Sequence, residues 1–350
     1  MISLQLHGEQ DLRLEDVQVA EVGKGDVKIK VAYNGICGSD LHFYYAASRS
    51  GWSRPRNIGH EISGVVAEVG SDVSDVSVGD RVSVYPIDSC GSCVQCVDGH
   101  PVLCEVLDRS VSTVGCGSPI GGMGEYCVVP NHLIIPLPDG LSLAQGALVE
   151  PIAVAATAVE RAQLKADSVV VVSGGGPIGI GAVLSLEAMG ITNFVVSEPS
   201  EARRAALTNL TSARVIDPTS EDLPAIVREL SGGRGADVVL ECAGAGAAFD
   251  AALAIVRKRG KIVMIGLFEK PYQLLPNGIA LNEISIVGHN GSTQDVFRTV
   301  MRWMEEGKIP TDSWVTYVPL AESVEGGFEP LRRGEEIKVL VDIAGSSSEE

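Results

Sequence analysis

Four cysteines lie within one short segment of the chain. Their spacing is Cys-x2-Cys-x2-Cys-x7-Cys, formed by Cys90, Cys93, Cys96 and Cys104. Four thiolates at this spacing can surround one ion as a closed tetrahedron, which is the arrangement that structural zinc prefers. A redox or iron–sulfur role is the alternative. A closed site has no open position for substrate, so we expect this zinc to fix a loop that has little apolar core.

A glycine-rich loop follows a run of four valines at 169–172. It reads GGGPIG at 174–179 and satisfies G-x-G-x-x-G. In such a loop the first glycine permits a tight turn, the second lets a pyrophosphate approach the backbone, and the third lets a helix pack on the strand. A dinucleotide site is therefore predicted, with a purely structural turn as the alternative. The expected cofactor contacts in this loop are Gly174, Gly176, Pro177, Ile178 and Gly179.

An acidic residue, Glu198, ends the next predicted strand after the glycine loop. A carboxylate there hydrogen-bonds the ribose hydroxyls of NAD and repels the 2′-phosphate of NADP, so NAD is the expected cofactor. Arg203 and Arg204 follow closely and leave NADP as the alternative. Arg203 is included among the expected cofactor contacts, although solvated helix residues are the simpler interpretation of both arginines.

A second set of potential metal ligands is scattered along the chain. It consists of Cys37, the pair His60 and Glu61, and Glu150. A catalytic zinc needs about three protein ligands and one open position, and thiolate, imidazole and carboxylate are suitable donors. Taken singly, Cys37 can equally be a small buried thiol and His60 a hydrogen-bonded core histidine.

The elements that position these residues change in kind along the chain. The first 140 or so residues contain short strands separated by turn residues, typical of an irregular β domain. Apolar strand runs then alternate with helical segments, which predicts an α/β fold with a doubly wound parallel sheet. The predicted strands are 27–33, 62–69, 81–85, 126–137, 169–172, 194–197, 214–217, 237–241, 262–265, 284–287 and 337–343, with a helical stretch at 293–306 and an extended one at 314–320.

Composition excludes several classes of function. The 350 residues carry 27 Lys+Arg and 45 Asp+Glu, a formal charge of −18, and 45% of them are hydrophobic. Such acidity disfavours nucleic acids and anionic membranes, which bind clustered basic residues. The N-terminal segment has no secretory signal, so a cytoplasmic enzyme is expected. The uncharged segment 168–186 is interrupted by glycines and Pro177, which favours a strand, a loop and a helix over a membrane span.

The order of these motifs resembles that of one enzyme family. A glycine-flanked Cys37, Gly-His-Glu at 59–61, the four-cysteine lobe, Leu-Val-Glu-Pro at 148–151 and the glycine loop occur in sequence. This pattern resembles the zinc-dependent medium-chain alcohol dehydrogenases. The resemblance implies a GroES-like catalytic domain at 1–152 and 290–350 and a Rossmann dinucleotide-binding domain at 153–289. It also implies two zinc ions per subunit, one catalytic and one structural, and NAD.

Carried over residue by residue, the resemblance makes Cys37 and His60 ligands of the catalytic zinc. The third ligand stays open between Glu61 and Glu150, because many members have a cysteine in the region of Glu150. Neighbouring residues on a regular strand face opposite sides, so His60 and Glu61 share a metal only if the backbone is distorted there. We therefore hypothesise that the two carboxylates exchange on the metal. With neutral His60, a Cys37 thiolate and one carboxylate, the zinc site sums to zero charge.

The resemblance also implies a proton relay. Ser39 and His42 follow Cys37 and match the family's pair that passes a proton to solvent. Asp40, in the same stretch, is expected to be structural.

Within the family, three stretches (148–151, 195–198 and 325–331) look most like those of 2,3-butanediol and sorbitol dehydrogenases. The expected substrate is a small alcohol, most simply a vicinal diol such as (R,R)-2,3-butanediol, with acetoin or diacetyl as the reverse substrate, or a polyol such as sorbitol. L-threonine 3-dehydrogenase is the alternative enzyme, and a catalytically silent zinc-bound scaffold is the alternative class. A homodimer or homotetramer is the usual assembly of the family, and the sequence does not choose between them.

Overall fold

The computed structural model of the chain describes residues 1–45, 55–106, 114–115 and 120–345. It divides into two compact units. Unit 1 comprises Met1–Glu150, Thr293–Glu305 and Val315–Glu350, and unit 2 comprises Pro151–Ser292 and Glu306–Trp314. The prediction placed 306–314 in the first domain, whereas this segment groups with unit 2. Parts of the predicted first domain (46–54, 107–113, 116–119 and 346–350) lie outside the described residues.

Unit 1 is built mainly from β-sheet. One sheet has the strand order β2-β1-β4, and a larger one has the order β15-β16-β3-β5-β6-β8 with β7 also paired to β3. Its strands are β1 (Ile2–Gly8), β2 (Asp11–Asp16), β3 (Asp26–Gly35), β4 (Arg56–Asn57), β5 (Glu61–Val69), β6 (Arg81–Val84), β7 (Tyr126–Pro130), β8 (Ile134–Pro136), β15 (Val315–Pro319) and β16 (Lys338–Asp342).

Unit 2 contains a parallel sheet with the strand order β11-β10-β9-β12-β13-β14. Counted along the chain from β9, this is the order 3-2-1-4-5-6 of the Rossmann fold. The strands are rich in Val and Ile because both faces of the sheet are covered. They are β9 (Val170–Ser173), β10 (Phe194–Ser197), β11 (Arg214–Ile216), β12 (Ala236–Glu241), β13 (Val256–Met264) and β14 (Ser285–Gly288).

The helices flank the sheets and connect the strands. Their bounds are α1 (Gly38–Tyr45), α2 (Val94–Val97), α3 (Leu143–Ala162), α4 (Pro177–Ala188), α5 (Glu201–Leu210), α6 (Leu223–Leu230), α7 (Gly246–Ile255), α8 (Asn277–Leu281), α9 (Gln294–Glu305) and α10 (Glu329–Arg333). Short 3-10 turns occur at Pro101–Leu103, Asn131–Leu133 and Leu320–Glu322, and a π-helical turn at Ser323–Phe328.

Helix α3 is long and apolar enough to qualify as a membrane-spanning segment, but 67% of its apolar window is buried inside the protein. A buried core helix meets the same criteria, so this helix is weak evidence for a membrane. The uncharged segment 168–186 forms strand β9, the glycine loop and part of α4.

Candidate active site and cofactor site

Three of the predicted zinc ligands converge in unit 1. One ligand atom from each of Cys37, His60 and Glu61 lies within 4.8 Å of the other two. Cys37 lies between the end of β3 and the start of α1, and Glu61 is the first residue of β5. Strands β3 and β5 are antiparallel with Gly35 opposite Glu61, so this pairing places the two ligand-bearing segments side by side.

A distorted backbone lets His60 and Glu61 face the same point. Gly59 has a φ of +90°, in the left-handed region, and regular strand geometry begins only at Glu61. A Cβ at position 59 would lie 2.5 Å from Nδ2 of the buried Asn34 side chain, so the position also excludes larger residues on steric grounds. His60 and Glu61 can share one metal only if the backbone is distorted near them, and the structure has such a distortion at Gly59.

Asp40 connects the two ligand-bearing segments. Its carboxylate accepts hydrogen bonds from the Cys37 amide (2.9 Å) and the Gly59 amide (3.2 Å), and Oδ1 lies 3.9 Å from His60 Nδ1. Asp40 is fully buried, and burial raises the pKa of its carboxyl group. Polar groups of this kind fix the orientation of metal ligands, so Asp40 supports the geometry of Cys37 and His60.

Sequence reasoning missed Lys338, which lies on β16 beside the site. Its side chain is 1% exposed, its ammonium pairs with Glu61 Oε2, and it donates a hydrogen bond to the Ile36 carbonyl (3.0 Å). The available signal was a lysine inside the apolar run 337–343, since a buried lysine requires a partner. That partner is distant in sequence and only the fold identifies it.

Glu150 is close to this group without being part of it. It lies on α3 directly before Pro151 and is 9% exposed. Burial raises the pKa of the Glu150 carboxyl to about 7; the charges of Glu61 and Asp40 also raise it, and those of His60 and Lys338 lower it. Glu150 is therefore a buried carboxyl group with a pKa near neutrality, within electrostatic reach of His60 and Glu61.

The donor set fits a catalytic zinc. Thiolate sulfur, imidazole nitrogen and carboxylate oxygen are the three donor types that zinc binds, and three protein donors leave one position open. Cys37 is partly exposed whereas His60 and Glu61 are buried, so the group is approachable from one side. The arrangement can hold a metal and still admit a small ligand.

The four cysteines fit a structural zinc. Their Sγ atoms are 3.9 Å apart for Cys90 and Cys96, 3.5 Å for Cys93 and Cys96, and 3.9 Å for Cys93 and Cys104. Tetrahedral Zn–S bonds of about 2.3 Å place sulfurs about 3.8 Å apart. Hydrogen bonds from the Ser92 amide and hydroxyl and the Cys93 amide lower the pKa of the Cys90 thiol to about 6, which favours the thiolate that zinc binds.

The predicted relay residues share one face of α1. Ser39 and His42 are three residues apart on the helix, and this spacing places them on neighbouring turns. Ser39 Oγ is buried and has no hydrogen-bond partner among the described residues, whereas His42 is exposed. Tyr44 packs edge-on against Phe328 at 5.3 Å between ring centroids and anchors α1 in the core of unit 1.

The glycine loop in unit 2 has the backbone geometry of a dinucleotide site. Gly174 has a φ of +102°, Gly176 caps α4, and Pro177 is the first residue of that helix. A Cβ at Gly179 would overlap the Gly174 carbonyl oxygen, so the third glycine is needed for close packing of helix on loop. Gly176, Pro177 and Ile178 are partly exposed, which leaves the helix N-terminus open to a phosphate group.

Glu198 and Arg203 lie beside this loop. The buried Glu198 carboxylate accepts hydrogen bonds from the Gly175 amide (2.5 Å) and the Ser200 amide (2.7 Å). Arg203 Nη1 lies 3.9 Å from the point that a Cβ at Gly176 would occupy, and Arg203 Nε is buried without a hydrogen-bond partner among the described residues. Arg204 instead donates to the Glu198 and Pro199 carbonyls, which is a structural role.

Comparison with known proteins identifies the family. Residues 23–139 match the alcohol dehydrogenase GroES-like domain, and residues 177–306 match the zinc-binding dehydrogenase domain. The chain is also 35% identical to (R,R)-butanediol dehydrogenase of Bacillus subtilis (strain 168), over 97% of this chain and 99% of that protein. The chain belongs to the zinc-binding alcohol dehydrogenase family.

Other members of the alcohol dehydrogenase family place the chain in the polyol and butanediol branch. It is 31% identical to sorbitol dehydrogenase of Bombyx mori, over 97% of each chain. The crystal structure of 2R,3R-butanediol dehydrogenase from Bacillus subtilis superposes with a TM-score of 0.87 at 34% identity, covering 98% of this chain and 99% of that one. The GroES-like and Rossmann folds are thereby confirmed, and the residues described above fit a catalytic zinc, a structural zinc and NAD.

Proposed function

We propose that this dehydrogenase transfers hydride between NAD and a secondary alcohol that carries a second hydroxyl group on the neighbouring carbon. (R,R)-2,3-butanediol, with acetoin or diacetyl in reverse, and sorbitol are the proposed substrates. The observation that carries the proposal is the second buried carboxyl, Glu150, beside the group of Cys37, His60 and Glu61. The similarity to (R,R)-butanediol and sorbitol dehydrogenases supports it.

The proposed ligands of the catalytic zinc are Cys37, His60 and Glu61. Their mutual distances within 4.8 Å support Glu61 over Glu150 as the third ligand at rest. When bound there, zinc acts as a Lewis acid that lowers the pKa of a substrate hydroxyl. Asp40 holds the Cys37 segment and the Gly59 amide in one geometry, so the protein keeps the donor set preformed.

Glu150 is proposed to recognise the second hydroxyl of a diol. A carboxylate accepts a hydrogen bond from a hydroxyl, and a protonated carboxyl can also donate one. With its pKa raised to about 7, Glu150 has both forms available near neutral pH. A monohydric alcohol has no group to place against Glu150, so it would leave this buried polar group unpaired, which is costly.

Ser39 and His42 are proposed to carry the substrate proton outward. The Ser39 hydroxyl has no hydrogen-bond partner among the described residues, so it can accept the substrate proton and release its own hydroxyl proton. His42 is exposed and lies one helical turn later, where water is available. General acid–base transfer of this kind typically accelerates a reaction by about 10²-fold or more.

NAD is the proposed dinucleotide. The buried Glu198 carboxylate at the glycine loop suits ribose hydroxyls and repels a 2′-phosphate. We propose that the loop residues Gly174 to Gly179 hold the pyrophosphate and that Arg203, whose Nε is unpartnered, contacts the adenosine end. Unit 1 would then be the catalytic domain and unit 2 the dinucleotide-binding domain.

The protein is further proposed to be cytoplasmic and to form a homodimer or homotetramer through β14. This strand is the last of the parallel sheet, and among the described residues it pairs only with β13, which leaves its outer edge without a neighbouring strand there. Leu275 and Leu281, which precede it in the chain, are 77% and 82% exposed. A second copy that pairs edge to edge would cover both features.

Initial-rate measurements with the zinc-loaded enzyme test the proposed function. NAD and NADP are each tried with (R,R)-2,3-butanediol, D-sorbitol and L-threonine at matched concentrations, with 2-butanol as the monohydric control. We expect NAD reduction with one of the diols and a kcat/KM for 2-butanol lower by about 10-fold or more. Preference for L-threonine would instead assign Glu150 to a substrate ammonium, and inactivity with all four alcohols would overturn the proposed substrate class.

A further inference from the structure

The ion pair between Lys338 and Glu61 concerns a carboxylate that is also a proposed metal ligand. Lys338 and Glu61 are each 1% exposed, so neither charge is screened by water. Such burial is stable only when the charges are paired, since an uncompensated buried charge strongly destabilises the fold. We propose that Lys338 is a positioning residue that competes with the catalytic metal for Glu61 and so keeps this ligand exchangeable.

The surroundings of the pair hold Lys338 in place beside Glu61. Lys338 is fixed by its hydrogen bond to the Ile36 carbonyl, one residue before Cys37. On the other side, a Cβ at Gly35 would overlap Glu61 Oε2 and would lie 3.0 Å from Lys338 Cε, so only glycine leaves room for both side chains. The Lys338 ammonium therefore occupies a fixed position beside the proposed metal site.

The charges around the pair are mostly negative. Asp40 and Glu150 are buried carboxyl groups near Glu61, and Cys37 contributes a thiolate when metal is bound. The Lys338 ammonium is paired with Glu61 and also acts electrostatically on Asp40 and Glu150, so its positive charge reaches all three carboxyls. One ammonium offsets one carboxylate, and this allows both glutamates to be ionised around a zinc ion without the excess negative charge that would weaken a Lewis acid.

Competition follows from the contact itself. A carboxylate oxygen that is paired with an ammonium attracts a metal cation less strongly, and the Lys338 ammonium forms an ion pair with Oε2 of Glu61. With Lys338 present, Glu61 would hold a bound metal more weakly and would remain able to give up its position. Without that charge, the metal becomes the main cation available to a buried Glu61, which then stays bound.

Loss of metal from variants tests this inference, which rests on the proposed zinc site. The holoenzyme is prepared with cobalt(II) exchanged into the Cys37 site, and loss of its absorption to dipicolinate is followed. We expect Lys338→Met to slow cobalt loss by about tenfold, because interactions beyond the ligands change metal affinity by about 10- to 100-fold. We expect kcat to fall in the same variant and the cobalt spectrum to show a permanently added oxygen ligand.

A purely structural role for Lys338 predicts the opposite direction. Damage to the fold would release metal faster, so faster or unchanged cobalt loss in Lys338→Met overturns the inference. In a Glu61→Gln background the lysine has no charged ligand to compete for. There we expect Lys338→Met to change the rate of metal loss less than twofold.

A second variant covers the case in which Lys338→Met does not fold. Lys338→Arg retains the charge, and its guanidinium pairs with a carboxylate through two hydrogen bonds. We expect it to speed cobalt loss in the parent and to have no effect in Glu61→Gln, whereas a steric disturbance would act equally in both. Metal analysis distinguishes failure of the proposed zinc site from failure of this inference. One zinc per chain in the parent would refute the proposed site. Two zinc ions per chain, with no effect of the Lys338 substitutions on metal loss, would refute only the inference about Lys338.

Discussion

At the residue scale, the proposed function uses polar side-chain atoms that are buried and have no hydrogen-bond partner among the described residues. Ser39 Oγ, Arg203 Nε and Glu241 Oε2 are buried and have no hydrogen-bond partner among the described residues. Most buried polar groups in proteins are paired, so each exception needs an explanation. Under the proposed function, a transferred proton accounts for Ser39 in unit 1 and a bound cofactor accounts for Arg203 in unit 2. Glu241 accepts from the Ala243 and Gly244 amides through its other oxygen and has a structural role.

Replacement of Ser39 tests the relay. We expect Ser39→Ala to lower kcat by about 10- to 100-fold at neutral pH, because the proton then lacks its first acceptor. The deficit is expected to shrink at high pH, where hydroxide can remove the proton directly. Steady-state rates from pH 6 to 10 measure this, with Ser71→Ala at an exposed turn as the matched control. A Ser39→Ala profile equal to the parent at every pH would remove Ser39 from the mechanism.

At the element scale, the glycine loop allows helix α4 to pack closely and also forms the cofactor-binding motif. Helix α4 begins directly after Gly176 and approaches the Gly174 carbonyl so closely that position 179 has no room for a Cβ. The same glycines therefore support the fold and open the loop to a phosphate.

Replacement of Gly179 tests this packing. Gly179→Ala is expected to lower the free energy of unfolding by about 1–3 kcal/mol, since overpacking forces the helix away from the loop, and to raise KM for NAD. Gly278→Ala is the matched control, because nothing lies within 4 Å of a Cβ there. Urea denaturation and NAD titration measure both effects. Equal stability of the two variants would show that the helix adjusts without cost.

The start of β12 is held by an ion pair whose effect depends on pH. The Asp237 carboxylate accepts from the Val169 amide (2.8 Å) and from Arg257 (2.6 Å). Burial alone would raise the pKa of Asp237, but these two partners outweigh it and lower the pKa below 3.8. A lowered carboxyl pKa contributes stability above the unfolded value, and this contribution is lost as the pH falls through the folded value.

We therefore expect Asp237→Asn to cost about 1–2 kcal/mol of unfolding free energy at pH 5 to 8, and the difference from the parent to shrink below pH 4. Urea denaturation across this range measures it. Asp295→Asn serves as the control, because Asp295 is 98% exposed in its ion pair and its loss is expected to be within about 0.5 kcal/mol. A constant deficit down to pH 3 would exclude the charge as its cause.

The sequence predicts elements well where the pattern is local. The strands of unit 2 are short apolar runs buried on both faces, and the predicted and observed bounds differ mainly at β13, which starts earlier at Val256. The predicted strand 126–137 is two strands separated by a 3-10 turn at Asn131–Leu133. Helix α1 has little amphipathic pattern and is held by Tyr44 against Phe328, a contact that no local sequence window contains.

The same distinction applies to the site. The cysteine lobe and the glycine loop are contiguous motifs, so their spacing carries the prediction. The Glu61 and Lys338 pair joins strands far apart in the chain, and no spacing rule relates them. The proposal of Glu61 rather than Glu150 as the third ligand also draws on coordinates, because it depends on the backbone turn at Gly59.

At the scale of the whole molecule, strong net charge and an exposed sheet edge act in opposite directions. A charge of −18 keeps copies apart in solution, whereas the exposed Leu275 and Leu281, which precede β14 in the chain, favour a specific contact. Closed symmetric pairing covers both edges at once and prevents open-ended assembly. The Rossmann sheet edge is therefore the surface at which we expect assembly to be decided.

Leu281→Asp tests the proposed assembly. A buried charge at a hydrophobic contact is expected to weaken association by about 10-fold or more, so the variant shifts toward monomer in sedimentation velocity at micromolar concentration. Val78→Asp is the control, because Val78 is 63% exposed and lies in unit 1. An unchanged sedimentation coefficient for Leu281→Asp would place the contact elsewhere.

The central claim is that Cys37, His60 and Glu61 hold the metal on which alcohol oxidation depends. The most direct test removes that metal by dialysis against dipicolinate and measures NAD reduction with (R,R)-2,3-butanediol as zinc is added back. We expect activity to return in proportion to zinc up to one added equivalent per chain, with the four-cysteine site still occupied, and His60→Ala to regain none. Full activity after the metal is removed, or equal recovery in His60→Ala, would contradict the account.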